Sequence, residues 1–320
     1  MASPPDHGSA APQVSIVLVS WNAAAVITPC LESLHGSGHQ VIVVDNSSSD
    51  GTADLVARQF PWVHLLREPV NRGFAGGVNC GVRASSSDLV LLLNCDTVAH
   101  PGAVDRLSAV LRQVPGCGAV GGMLVDRHGE PQHGFAVRRF PTLLTWAVDL
   151  LLIDHLWPSN PITRRYLAKD ITATAHTPVD VDQPAAACLM VERRLFDALQ
   201  GMDEQFFPAW FEDVDLCRRM RDAGRRILFV PDAVFTHEGG VAMRQLGHGR
   251  FAGFWYRNLQ RYVRTHQGTG ALVMCKAFIL IGVCIRLIAS AMAGRLDEVR
   301  GYARAILDVF AFWPARSALS

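Results

Sequence analysis

Four short apolar runs separated by stretches of helical periodicity fill the first hundred residues, and that alternation leaves few folds open. SIVLVSW (Ser15–Trp21) leads into a helical pattern through Leu34, and QVIVVD (Gln40–Asp45) follows. Asp50-Gly51-Thr52 starts a second helix ending near Pro61, and WVHLLRE (Trp62–Glu68) reads as a third strand. The glycine-rich segment from Gly73 opens a third helix before DLVLLLN (Asp88–Asn94), whose unbroken apolar character marks a strand covered on both faces. This predicts an α/β fold, a Rossmann-like, mostly parallel sheet flanked by helices, with ligands at the carboxyl ends of the strands. Polar residues cluster at those ends: Ser20 and Asn22, Asp45 and Asn46, Asn71, then Asn94 and Asp96.

Beyond residue 126 the pattern loosens, with five prolines between Pro131 and Pro178 around an apolar helical piece at 143–156. Residues 126–185 read as an insertion on the acceptor side of one domain spanning 14–266. Regularity returns at AAACLMVERRLFDAL and continues through PDAVFTHEGG. Residues 1–13 lack a basic or an apolar segment and read as a loose tail, not a signal peptide. The eight cysteines form no C-x-x-C pair, which fits a reducing cytoplasm better than disulfides or a zinc site. A formal net charge of +1 with no basic run argues against a nucleic-acid partner.

Four positions carry chemistry. Asp45 ends the second strand, where a carboxylate can accept from the imide N–H of a pyrimidine base; the plain alternative is a turn residue. Asp96 follows the most apolar strand and offers a hard oxygen suited to Mg²⁺ or Mn²⁺ bridging two phosphates, or else a helix cap. His237 closes another short strand and would join Asp96 as a metal ligand. Glu212 and Asp213 open a helix whose positive dipole end is expected to keep the acid ionised, as a general base requires. Asn71–Asn79 is a tight loop entering a helix; its spacing is not G-x-G-x-x-G, so its glycines either bring N–H groups to a pyrophosphate or pack helix on sheet.

Together these blocks resemble glycosyltransferase family 2, the inverting enzymes of the GT-A fold, and within it the rhamnosyltransferase-like members. The resemblance covers roughly residues 14–266 and is carried by GMDEQFFPAWFEDVDLCRRMRDAG, PDAVFTHEGG, NRGFAGGVNCGV and VVDNSSSDGT. It implies that Asp45 binds the base, that Asp96 is the last acid of a D-x-D-like motif, and that Asp213 is the catalytic base with Glu212 beside it. His237 would lie on the metal or pyrophosphate side, and Ser20, Trp21 and Asn22 would line the nucleotide pocket. Asn71, Gly73, Asn79 and Asn94 fall on the donor side, and Arg257 is placed at the diphosphate. Two departures stand out: Asn94 and Cys95 leave Asp96 as the only acid of its motif, and Ala186 replaces a usual glycine. The implied donor is a nucleoside diphosphate sugar, dTDP-L-rhamnose first and UDP-sugars next, with a divalent cation and a lipid-linked or polysaccharide acceptor. A nucleotidyltransferase and a non-catalytic sugar-nucleotide-binding scaffold remain as alternatives. The first would need a basic Gly-rich loop where the chain reads SWNAAAV.

The segment 267–320 is expected to be helical and to lie against a membrane. Its apolar run carries only Lys276 and Arg286, some 80° apart on a helix, as if both reached headgroups from one side. Its uninterrupted part is shorter than the ~20 residues a spanning helix needs. FWYRNLQRYVRTH just upstream has the aromatic and basic mixture of an interfacial segment. Packing on the catalytic domain or in a dimer is the other reading.

Overall fold

The computed structural model describes residues 13–240 and 248–310. Nearly all of the N-terminal tail, residues 1–13, and the last ten residues therefore lie outside the described residues.

Strands β1 (Ser15–Ser20), β2 (Gln40–Asp45), β3 (His64–Arg67) and β4 (Leu89–Asn94) alternate with helices α1 (Ile27–Leu34), α2 (Thr52–Gln59) and α3 (Gly73–Arg83). They pair in parallel in the order β3-β2-β1-β4, as the sequence predicts. Val90 to Leu93 of β4 are almost wholly buried. Burial of each such side chain is worth about 1.5–3 kcal/mol, so this strand has no competing register with water on one face. Glycine permits the close packing above it: a Cβ at Gly81 would overlap the side chain of Val17.

The far half of the sheet is mixed. It contains β5 (Thr97–Ala99), α4 (Ala103–Gln113), β6 (Cys117–Val125), β10 (Cys188–Glu192), α9 (Arg193–Ala198), α10 (Glu212–Asp222) and β11 (Arg226–His237). The order continues β4-β10-β6-β11-β5, with β10 antiparallel to both neighbours. Between β6 and β10 the stretch read as an insertion holds β7 (Val137–Arg138), α5 (Leu143–Leu150), α6 (Ile153–Leu156), α7 (Pro161–Tyr166) and α8 (Lys169–Thr174), then β8 (Val179–Asp180) and β9 (Gln183–Pro184). β7 and β9 form a separate two-stranded sheet, while β8 pairs with β11.

The chain then runs through α11 (His248–Met292), broken at Gly268 by a backbone conformation that only glycine tolerates (φ 87°, ψ 175°), and α12 (Leu296–Phe310). The arm before the break packs on the catalytic half. Tyr256, Leu259, Tyr262 and Val263 are buried with Phe206, Phe211 and Trp146. His266 Nε2 lies 2.8 Å from Asp215 Oδ1 of α10, whose other oxygen accepts from Arg219. The segment expected to sit among headgroups is thus core: Arg261 donates to Gln205, and Arg257 to the Phe207 carbonyl.

The arm after the break packs on α5 and α12. Gly282 touches the Leu150 carbonyl so closely that a Cβ would overlap it. Arg286 does not reach outward, as the sequence reading had it. It folds inward to donate to the carbonyls of Leu150 (2.7 Å) and Asp149 (3.3 Å), satisfying the orphan acceptors at the end of α5. What remains outside is apolar: Val273, Met274, Ile281, Ile285, Ile288 and Met292 are exposed. The segment from Arg250 to Met292 is long and apolar enough, by length and composition, to cross a membrane.

Candidate active site

A cleft of about 370 Å³ opens at the carboxyl edge of the sheet, between the parallel half and the residues of 126–185. Trp21, Asn71, Gly73, Asn94, Asp96 and His237 line one side; Glu212 and Asp213 line it with Arg138, Trp146 and Tyr166. Residues far apart in the chain and assigned by sequence to donor, metal and catalysis therefore share one cavity.

The Asp96–His237 corner forms where β11 runs antiparallel to β5, with His237 opposite Thr97. Asp96 Oδ1 is 3.5 Å from His237 Nε2, and both side chains are under a tenth exposed. Asp96 Oδ2 accepts from the Gly239 N–H (3.0 Å). Gln132, which the sequence did not single out, sets the imidazole. Its amide nitrogen donates to the His237 carbonyl (2.6 Å), so its Oε1 faces His237 Nδ1 at 2.9 Å. An amide oxygen only accepts, so Nδ1 carries the hydrogen and Nε2 turns a lone pair toward Asp96. Burial also pushes the imidazole pKa below its usual value, against the opposing pull of Asp96, and Asn94 Nδ2 lies 3.4 Å from Nε2. Phe135 stacks on the ring at 5.0 Å. Among the described residues no three acids, histidines or cysteines form a metal cage. One imidazole lone pair and one carboxylate nonetheless fit a hard divalent cation whose other ligands come from a diphosphate and water.

The nucleotide side differs in detail from the sequence reading. Trp21 faces the cleft, but Ser20 is fully buried and points to Asp45 (3.3 Å). Asp45 is 4% exposed, and its second oxygen accepts from the Ser48 N–H at 3.1 Å. Asn22, at φ 49°, ties two loops together by accepting from the Ser49 N–H (2.8 Å). Asn46 lines the cleft instead and pins its rim, donating to Asn71 Oδ1 and the Gly73 carbonyl (both 3.0 Å) and accepting from the Arg72 N–H (2.8 Å). Gly73 is required here: at φ +74° a Cβ would meet Phe207 and the Pro208 carbonyl at 2.8 Å. Asn79 faces away from the cleft. Both ends of its amide bind the Met202 backbone at 2.9 Å, which fixes the loop preceding α10. Arg257 is likewise turned to the Phe207 carbonyl and lies outside the cleft lining.

The acid pair follows two aromatic residues, Trp210 and Phe211, both in the left-handed region at φ 77°. Such a conformation costs about 1–3 kcal/mol per residue, and it turns the chain sharply so that α10 begins inside the cleft. Asp213 Oδ1 accepts from the Val214 N–H (2.8 Å), and Oδ2 from Gln183 Nε2 (3.3 Å) and the Ala186 N–H (3.4 Å). Ala186, read as a departure, thus serves through its backbone. Burial pushes the Asp213 carboxyl above the ordinary range despite its three donors, and raises Glu212 further, with Asp213 as the next cause. Glu212 Oε2 is buried without a hydrogen-bond partner.

Sheet order, carboxyl-edge cleft and paired acids define a class, the glycosyltransferases of GT-A fold. The chain belongs to the family described as Glycosyltransferase like family 2, whose sequence profile matches residues 12–263. Among curated relatives, the N-acetylglucosaminyl-diphospho-decaprenol L-rhamnosyltransferase of Mycobacterium tuberculosis is 30% identical over 208 residues, 62% of this chain and 66% of that protein. The low-salt glycan biosynthesis hexosyltransferase Agl10 of Haloferax volcanii is 24% identical over 65% of this chain and 61% of its own length. The chain therefore spans a little under two thirds of these relatives. Two solved structures share the fold. GalNAc-T7 with UDP, GalNAc and Mn²⁺ has a TM-score of 0.58 at 14% identity, covering 79% of this chain and 48% of its own. The Pyrobaculum calidifontis mannosyltransferase PcManGT with GDP-Man and Mn²⁺ has 0.53 at 17%, covering 97% and 83%.

Proposed function

We propose that this chain transfers a sugar, with L-rhamnose from dTDP-L-rhamnose the leading candidate, to a lipid-linked or polysaccharide acceptor in cell-envelope glycan synthesis. One observation carries the reading: the Asp96–His237 corner and the Asp213 carboxylate share one cleft. Asp213 takes the proton of the acceptor hydroxyl as that oxygen attacks the anomeric carbon, and the bond to the diphosphate breaks in the same step, with inversion. A divalent cation held by Asp96 and His237 would offset the charge gathering on the departing diphosphate. Trp21 and Asn71 flank the nucleotide, while Trp146 and Tyr166 present aromatic faces to the acceptor. The mycobacterial relative, an L-rhamnosyltransferase acting on a diphospho-decaprenol, supports the rhamnosyl group and the lipid acceptor. Purified protein assayed with dTDP-, UDP- and GDP-sugars and Mn²⁺ should release nucleoside diphosphate fastest from dTDP-L-rhamnose in the presence of a lipid-diphosphate acceptor. Equal, acceptor-independent rates with all donors would reject the assignment.

The exposed apolar stripe of α11 supports a peripheral position at the inner face of the cytoplasmic membrane, where a lipid-linked acceptor would be met. With Arg286 folded inward, no charge interrupts the stripe formed by Val273, Met274, Ile281, Ile285 and Ile288. The double substitution Ile281→Glu with Ile285→Glu should therefore release the protein from sedimenting lipid vesicles while leaving its melting temperature near wild type, since both side chains are exposed. Retention on vesicles by that variant would show that the stripe packs on protein instead.

A further inference from the structure

Asp213 faces a difficulty that the rest of the cleft does not solve. A general base must be ionised, yet burial favours its neutral form, and its own helix adds the carboxyl groups of Glu212 and Asp215. The Cys217 thiol and the Tyr166 phenol, from α7, also face it, but burial and the Asp213 charge push both up, so they stay protonated and neutral. Gln183 and Ala186 supply neutral donors. Among the described residues lining the cleft, the only lysine or arginine is Arg138.

Arg138 is held where it can compensate. It is the last residue of β7 and pairs across the small sheet with Gln183, the residue whose amide reaches Asp213. Its Nε donates to the Gly134 carbonyl at 2.6 Å, and its guanidinium carbon lies 5.8 Å from the ring centres of both Phe135 and Tyr166. A planar cation flanked by two rings and fixed at Nε has little rotamer freedom left to lose. We propose that Arg138 is a positioning residue for the transfer reaction, whose clamped guanidinium holds Asp213 in the carboxylate form that accepts the acceptor's proton. The Arg138 charge also pulls the Asp213 pKa down, opposing its burial. This role rests on Asp213 being the base, as proposed above.

The test is the pH profile of kcat/KM. A base with a raised pKa loses activity as pH falls through that value, so removal of a nearby cation moves the acidic limb upward. Arg138→Gln should shift that limb up by about one pH unit, the lower end of the effect of a close opposite charge. Activity should be lost at low pH and largely recovered at high pH. Arg138→Lys, which keeps the charge, should restore most of the profile, and nucleotide affinity should stay unchanged in both. Tyr166→Phe, which removes only the hydroxyl bonded to the guanidinium, should shift the limb less in the same direction, and carries the test if Arg138→Gln does not fold. An unmoved limb in the folded variants overturns the proposal, as does a loss of donor affinity without a shift, which would place Arg138 on the diphosphate. An active Asp213→Asn enzyme would instead remove the base assignment itself, so the two failures are distinguishable.

Discussion

Asp213→Asn is expected to lower kcat by about 10²–10⁴-fold, the contribution of a positioned general base, while the donor nucleotide binds with nearly its wild-type affinity. The separation follows from the geometry. Asp213 lies on the side of the cleft with Trp146 and Gln183, and its oxygens are held by protein donors rather than aimed at the Asp96–His237 corner. A proton acceptor acts in the transition state, so its loss appears in turnover and not in ground-state binding. Stopped-flow turnover beside calorimetric nucleotide binding checks both halves. A variant with wild-type turnover, or one that loses nucleotide binding in parallel, would displace Asp213 from this role.

The second large effect is expected at the opposite corner. Asp96→Ala and His237→Ala should each weaken Mn²⁺-dependent donor binding by roughly 10²-fold or more, because loss of a supporting partner alone commonly costs 10–100-fold. Gln132→Leu supplies that milder comparison. Without its amide, the His237 tautomer is no longer fixed, so affinity for the cation should fall within that 10–100-fold range while the protein stays folded. Titration of nucleotide with and without Mn²⁺, and with EDTA, reads all three. Binding and turnover indifferent to EDTA in the wild type would mean that Asp96 and His237 contact the ribose or phosphates directly.

The parallel half of the sheet was readable from the sequence because β1, β2 and β4 carry six-residue runs that are apolar through their middles and end on polar residues. Its polar strand ends led to Asp96, and the acid pair at the start of α10 was visible as a motif. Adjacent polar residues were harder to separate: Asn46, one step past the end of β2, lines the cleft, while Asp45 accepts from the Ser48 N–H. Gln132, Arg138 and Gln183 were not singled out. They lie on loops or strands of two residues, too short for periodicity, and their partners are distant: Gln132 meets His237 across 105 positions. For Asp213 the sequence showed the helix start but not the burial, which pushes its carboxyl up. The aromatic and basic residues from 254 to 266 were misassigned because a helix buried against a core and one lying at a headgroup layer share the same composition.

The tie between His266 and Asp215 gives the break at Gly268 a mechanical meaning. The clamp grips the catalytic helix two residues before the only point in α11 where the rod changes direction. Past that turn the rod runs along α5 and is tied there by Arg286, whose guanidinium donates to the Leu150 and Asp149 carbonyls. One continuous rod, bent once at a glycine, thereby buttresses both walls of the cleft, α10 from one side of the bend and α5 from the other.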